Sequence, residues 1–167
     1  MYDVKVREVP EQPVVSEERT VTQAELVEWL PGAMGRVATS AQGHGGGLET
    51  SSLPYLARDD HKSAQVFIVL YEGNPTEGPV PVETCAPIAR EQGEGTRTIP
   101  AHREAYVRLT RAQCEPMSKI GAAYAAVEQW IGANGHEVSA APRETYFTDF
   151  FGAAPEDDVF DVSFPIR

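Results

Sequence analysis

Basic residues are scarce in this chain: 14 lysines and arginines face 25 aspartates and glutamates, a formal charge of −11 over 167 residues. A surface of that sign repels phosphate backbones, so direct nucleic-acid binding is not expected. Cationic ligands or basic protein partners are its complement. Cysteine is nearly absent, and Cys85 and Cys114 each sit in or beside an apolar strand-like run, where buried free thiols are expected. His44, His61, His102 and His136 are scattered without metal-ligand spacing. Neither a metal nor a cofactor is expected. No apolar run is long enough to span a bilayer, and residues 1–6 show no signal-peptide h-region, so the expectation is a cytoplasmic protein without a membrane partner. No helix-turn-helix or basic arm is visible.

What is present is a hydrophobic rhythm that occurs twice. Val27, Leu30, Met34, Val37 and Ala41 follow a 3, 4, 3, 4 spacing, and Met117, Ile120, Tyr124, Val127 and Ile131 repeat it. Each set lines one stripe of a helix with 3.6 residues per turn. Two strand-like runs follow each helix: residues 65–72 and 80–88 in the first copy, 143–149 and 159–166 in the second. The helices are offset by 90 residues and the strands by 78, which leaves about 12 extra residues in the first copy, assigned to 49–60. The pattern predicts a single α+β domain over 1–167, built from duplicated strand–helix–strand–strand modules. The halves are 1–90 and 98–167, joined by a charged linker at 89–98. Such modules form a pseudo-twofold antiparallel sheet with helices on one side and a central ligand cleft.

Local signals sharpen this outline. Val4, Val6, Val14 and Val15, broken by Pro10 and Pro13, read as an interrupted first strand. Thr22-Gln23-Ala24-Glu25 is a capping box. Pro31 and Gly32 predict a kink or break in the helix that follows. Gly43-His44-Gly45-Gly46-Gly47 follows a helix and precedes none, the wrong context for a phosphate loop, so it reads as a connector. Residues 53–57 read as a short extra strand or part of a loop. Pro116 suits a helical first turn, and Gly135 a left-handed helix stop.

Four stretches carry a family resemblance: Pro116…Gly121-Ala122-Ala123-Tyr124…Trp130-Ile131, Pro142-Arg143-Glu144-Thr145-Tyr146-Phe147-Thr148-Asp149, the closing Phe164-Pro165-Ile166, and Phe67…Tyr71-Glu72-Gly73 with Val82-Glu83-Thr84-Cys85-Ala86-Pro87-Ile88. Over residues 2–167 the chain resembles the GyrI-like effector-binding family, as a stand-alone member close to the subgroup that contains cyclopropanoid hydrolases. The resemblance implies an acidic residue, here Glu144, in an aromatic-lined pocket for flat, apolar, cationic drugs. It also implies two other roles: hydrolysis of strained natural products, or inhibition of DNA gyrase by direct contact. The run Thr110–Pro116 and the insertion at 49–60 depart from the family pattern, and both are expected to border the cleft.

Alternation places Glu144, Tyr146 and Thr148 on one strand face and Thr145 and Phe147 on the other. A carboxylate beside a phenol in an apolar wall can attract a delocalised cation, with ring stacking adding about 0.5–2 kcal/mol. With its pKa raised by burial it can instead serve as general acid or base, Glu144 and Tyr146 then being catalytic. The expected ligand-binding residues are Glu144, Tyr146, Trp130, Tyr124, Tyr71, Phe67, Phe164 and Glu83. The expected function is binding of a hydrophobic, aromatic and cationic small molecule for sequestration or sensing, with the hydrolase and gyrase-contact roles as alternatives.

Overall fold

The computed structural model describes residues 2–58 and 64–167, with Ser118 described by its backbone alone. His61 and the last two residues of the expected insertion, Asp59 and Asp60, lie outside the described residues. The strand-like runs become β1 (Lys5–Val9), β2 (Gln12–Val21), β3 (Phe67–Tyr71), β4 (Val80–Pro87), β5 (Thr96–Ile99), β6 (His102–Thr110), β7 (Arg143–Tyr146) and β8 (Asp158–Ile166). They form one antiparallel sheet in the order β1-β6-β8-β7-β3-β4-β2-β5. The interruption at Pro10 separates two strands with different destinations, Pro13 falling inside the second: β1 pairs with β6, whereas β2 pairs with β4 and β5. The stretch expected to be a linker ends in β5, which continues the sheet beyond β2.

Two helices, α1 (Gln23–Gln42) and α2 (Ile120–Ala133), cover one face of the sheet. The capping box at the start of α1 is complete: the Glu25 amide donates to Thr22 Oγ1 at 3.4 Å, and the Thr22 amide donates to Glu25 Oε1 at 3.1 Å. Of the expected kink or break, no break occurs: α1 runs through Pro31 as a single 20-residue helix. Its inward stripe is Leu26, Trp29, Ala33, Val37 and Ala41, while Val27 is 65% exposed. The expected stripe therefore began one residue late and missed Trp29. Packing under α1, not propensity, selects that face. In α2 the buried stripe is Ala123, Val127 and Ile131, and Met117 is exposed in the 3₁₀ turn ahead of the helix. Gly135, at φ +75°, makes the expected left-handed stop.

The core divides along the sheet. Under α1 lie Val21, Leu26, Trp29, Val69 and Val82; under α2 lie Val107, Ala123, Val127, Val162 and Phe164. Tyr146 packs against both clusters and marks the seam between them. The described residues of the insertion do not border that seam, contrary to expectation. Residues 50–56 form two 3₁₀ turns that bury Leu53 and Leu56 against Ile68, Leu70, Cys85 and Phe147 on the opposite face. Apolar side chains demanded a cover there, and the insertion supplies it. Cys85 and Cys114 are buried free thiols.

Candidate functional site

Strands β3 and β7 occupy the middle of the sheet, between the strands that α1 and α2 cover. Register pairs Val69 with Glu144 and Glu144 with Val162, so these three share the helix-facing side. Glu144 is 6% exposed, and three phenols converge on it. Tyr146 donates to Oε1 at 2.6 Å, Tyr71 donates to the same oxygen at 3.1 Å, and Tyr124 donates to Oε2 at 2.7 Å. The tyrosines come from β7, β3 and α2, so the cluster exists only when both halves of the sheet and the second helix are assembled. No ion pair to Glu144 occurs among the described residues.

A carboxylate accepts up to about four hydrogen bonds, and phenol donors are apt partners for its charge. Burial nevertheless dominates: it pushes the Glu144 pKa above the ordinary carboxylate range, against the lowering effect of the Tyr146, Tyr124 and Tyr71 hydroxyls. The same burial, with the charge of Glu144, holds all three phenols well above their ordinary range, so they remain protonated donors.

An aromatic wall surrounds the cluster. The Tyr146 ring stacks on Phe160 at 4.7 Å, and Phe150 reaches Phe160 at 6.4 Å. Phe164 meets Tyr124 edge-on at 5.9 Å. Cys114, missed as a site residue, has its thiol pushed up to about 11, chiefly by burial and in part by the charge of Glu144. A cavity of about 370 Å³ opens nearby between Arg111, Glu115, Phe151, Ala153 and Pro155. The Arg111 guanidinium lies over the Phe150 ring at 4.3 Å, so ring contacts run from this cavity through Phe150 and Phe160 to Tyr146.

Of the eight expected site residues, Glu144, Tyr146, Tyr124 and Tyr71 meet directly, and Phe164 backs Tyr124. Phe67 is the register partner of Tyr146 on the helix-facing side and packs beneath α1 with Val37, Ala41 and Ile88. Two stand apart. Trp130 stacks on His136 at 5.8 Å. Glu83 pairs with Leu70 in register, on the sheet face opposite Glu144, and accepts from Arg97 through both oxygens at 2.8 and 2.6 Å. Thr148, expected on the same face as Glu144, lies beyond the end of β7, where its Oγ1 accepts from Arg58 at 3.4 Å. Phe150 and Cys114 carried no periodic signal, because both come from irregular segments beside the cluster. Among the described residues no group of three His, Cys, Asp or Glu side chains could hold a metal, and no helix is long and apolar enough to cross a membrane.

No family model matches the chain, and no curated protein matches it in sequence. Solved structures do. The EcmrR C-terminal domain superposes with a TM-score of 0.73 at 21% identity, covering 100% of this chain and 98% of that one. In an EcmrR–DNA complex the TM-score is 0.72, again at 21% identity, over 99% of this chain but only 57% of the EcmrR chain. A hydrolase from Listeria innocua matches with a TM-score of 0.55 at 10% identity, covering 99% of this chain and 92% of that one. These likenesses show the fold: among the described residues, an α+β arrangement of an eight-stranded antiparallel sheet with two α-helices.

Proposed function

We propose that the chain binds a hydrophobic, aromatic small molecule of positive charge in the cleft between α1 and α2, with Glu144 as counter-charge, for sequestration or sensing. One observation carries this reading: a buried carboxylate held by Tyr71, Tyr124 and Tyr146 and given no cationic partner among the described residues. An unpaired buried charge is costly, and a cation that displaces a phenol donor removes that cost while its rings stack on Tyr146 and Tyr124. The cavity beside Phe150 and Phe151 is the approach to the cluster. The fold of the EcmrR C-terminal domain is compatible with this role.

Titration with a rhodamine-type cationic dye, followed by tryptophan fluorescence, tests it. Saturable quenching that weakens at least tenfold, about 1.4 kcal/mol, in Glu144→Gln supports the reading. Equal curves for the two proteins remove Glu144 from cation binding. The raised pKa of Glu144 supports a second reading on the same residues, a hydrolase of electrophilic, cyclopropane-containing natural products. A carboxyl whose pKa is raised by burial holds its proton to higher pH and can give it to a leaving group. Mass spectrometry of the recovered ligand separates the two, because a binder returns it unchanged.

A further inference from the structure

Arg143, the neighbour of Glu144, has a setting of opposite sign. Strand alternation turns it away from the helices, onto the face that carries Leu70 and Ser163, its register partners. It is 5% exposed. Its Nη2 donates to the Ala141 carbonyl at 2.9 Å, and its Nε has no acceptor. The carboxylates nearby are already taken: Glu83 by Arg97, and Glu104 by Arg7 and His102. Arg143 thus has no ion pair among the described residues. Burial accordingly pushes its pKa down, against the raising effect of Glu104.

Arg143 lines a cavity of about 210 Å³ whose walls include Leu70, Ile99, Pro100, Ala141 and Pro165. Arg97 and His102 also reach this cavity, but both are compensated by the carboxylates just named. Arg143 is the cation left uncompensated here, and its guanidinium is a fork suited to a planar carboxylate. Leu70, Ile99, Pro100 and Pro165 supply the apolar part of the wall. We propose that this cavity binds a small organic carboxylate, its anionic end on Arg143 and its apolar body against Leu70, Ile99 and Pro165. The site is independent of the Glu144 cluster, on the other face of the sheet. A dianion such as inorganic phosphate fits less well, having no body for the apolar wall and one more charge than Arg143 offers. Exposed Glu72 also lines the cavity and opposes an anion there.

Benzoate, acetate and inorganic phosphate are the probes, titrated into the labelled full chain and followed by amide NMR shifts. Benzoate should shift the Leu70, Ala140 and Ala141 amides saturably, and more tightly than acetate or phosphate. Arg143→Met should weaken it tenfold or more. Glu72→Gln, an exposed change that leaves the fold intact, should tighten it about twofold, which keeps the test decisive if Arg143→Met does not fold. Glu144→Gln should leave benzoate binding unchanged. No saturable shift at about 50 mM benzoate, equal affinity in Arg143→Met, no tightening in Glu72→Gln, or phosphate binding tighter than benzoate would each overturn the proposal.

Discussion

Two consecutive residues, Arg143 and Glu144, each bury a charge, on opposite faces of one sheet, and neither pairs with an opposite charge among the described residues. For Glu144 the consequences with pH follow from the direction of its shift. A carboxyl with its pKa raised in the folded state binds more protons folded than unfolded, so its contribution is complete below the unfolded value and is lost as pH rises through the folded one. Glu144→Gln should therefore gain stability relative to the wild type as pH rises above the ordinary carboxylate range in urea denaturation, from removal of the buried charge. A cationic ligand favours the ionised carboxylate, so dye affinity should increase over the same rise in pH in the wild type and stay flat in Glu144→Gln. Tyr146→Phe removes one donor from the carboxylate and should cost about 1–3 kcal/mol where Glu144 is ionised, and less at lower pH where it is protonated.

At the scale of elements, the same segments that were most legible are the ones stabilised locally. The Thr22 and Glu25 box satisfies orphan amides at the start of α1, so Thr22→Ala should lower stability by about 1 kcal/mol in chemical denaturation. The insertion behaves differently. Its two 3₁₀ turns are held by what they cover: Leu56 is fully buried, and its carbonyl accepts from Arg108 at 2.6 Å. Leu56→Ala should cost about 2–5 kcal/mol. Because the insertion lies on the face opposite Glu144, dye affinity in that variant should be unchanged at temperatures where it remains folded.

For the whole molecule, β1 provides the longest-range tie. Arg7 on β1 reaches Glu104 on β6 and Asp161 on β8, both at 2.8 Å, and lies 3.8 Å from the centre of the Tyr106 ring. Glu104 and Asp161 are almost wholly buried, so Arg7→Met would leave Glu104 to His102 and Asp161 to Arg108 and should cost about 1.5–3 kcal/mol, measured by urea denaturation. Burial alone would raise the Glu104 pKa, but His102 and Arg7 outweigh it and hold the carboxyl below its ordinary value. That contribution is present above the unfolded pKa and is lost as pH falls through the folded one, so this network belongs to the acid limb of the stability curve. The Glu144 cluster acts in the opposite sense, on the alkaline side of its own pKa.

Sequence by itself determined what depends on neighbours along the chain. Periodicity of 3.6 or 2 named two helices and the principal strands, Thr22 and Glu25 declared a helix start, and alternation set Glu144 and Tyr146 on one face and Phe147 on the other. Tertiary structure decided what depends on the approach of distant segments. It chose Leu26 and Trp29 over Val27 as the inner stripe, sent β1 to β6, turned Glu83 away from Glu144, and laid the insertion on the back of the sheet. The convergence of Tyr71, Tyr124 and Tyr146 on one carboxylate is of this kind: the three phenols are far apart in sequence, and no local pattern records that their hydroxyls share an acceptor. The reason is physical. Hydrogen-bonded turns and amphipathic periods are properties of adjacent residues, whereas the burial and pairing of a charge depend on which surfaces close over it.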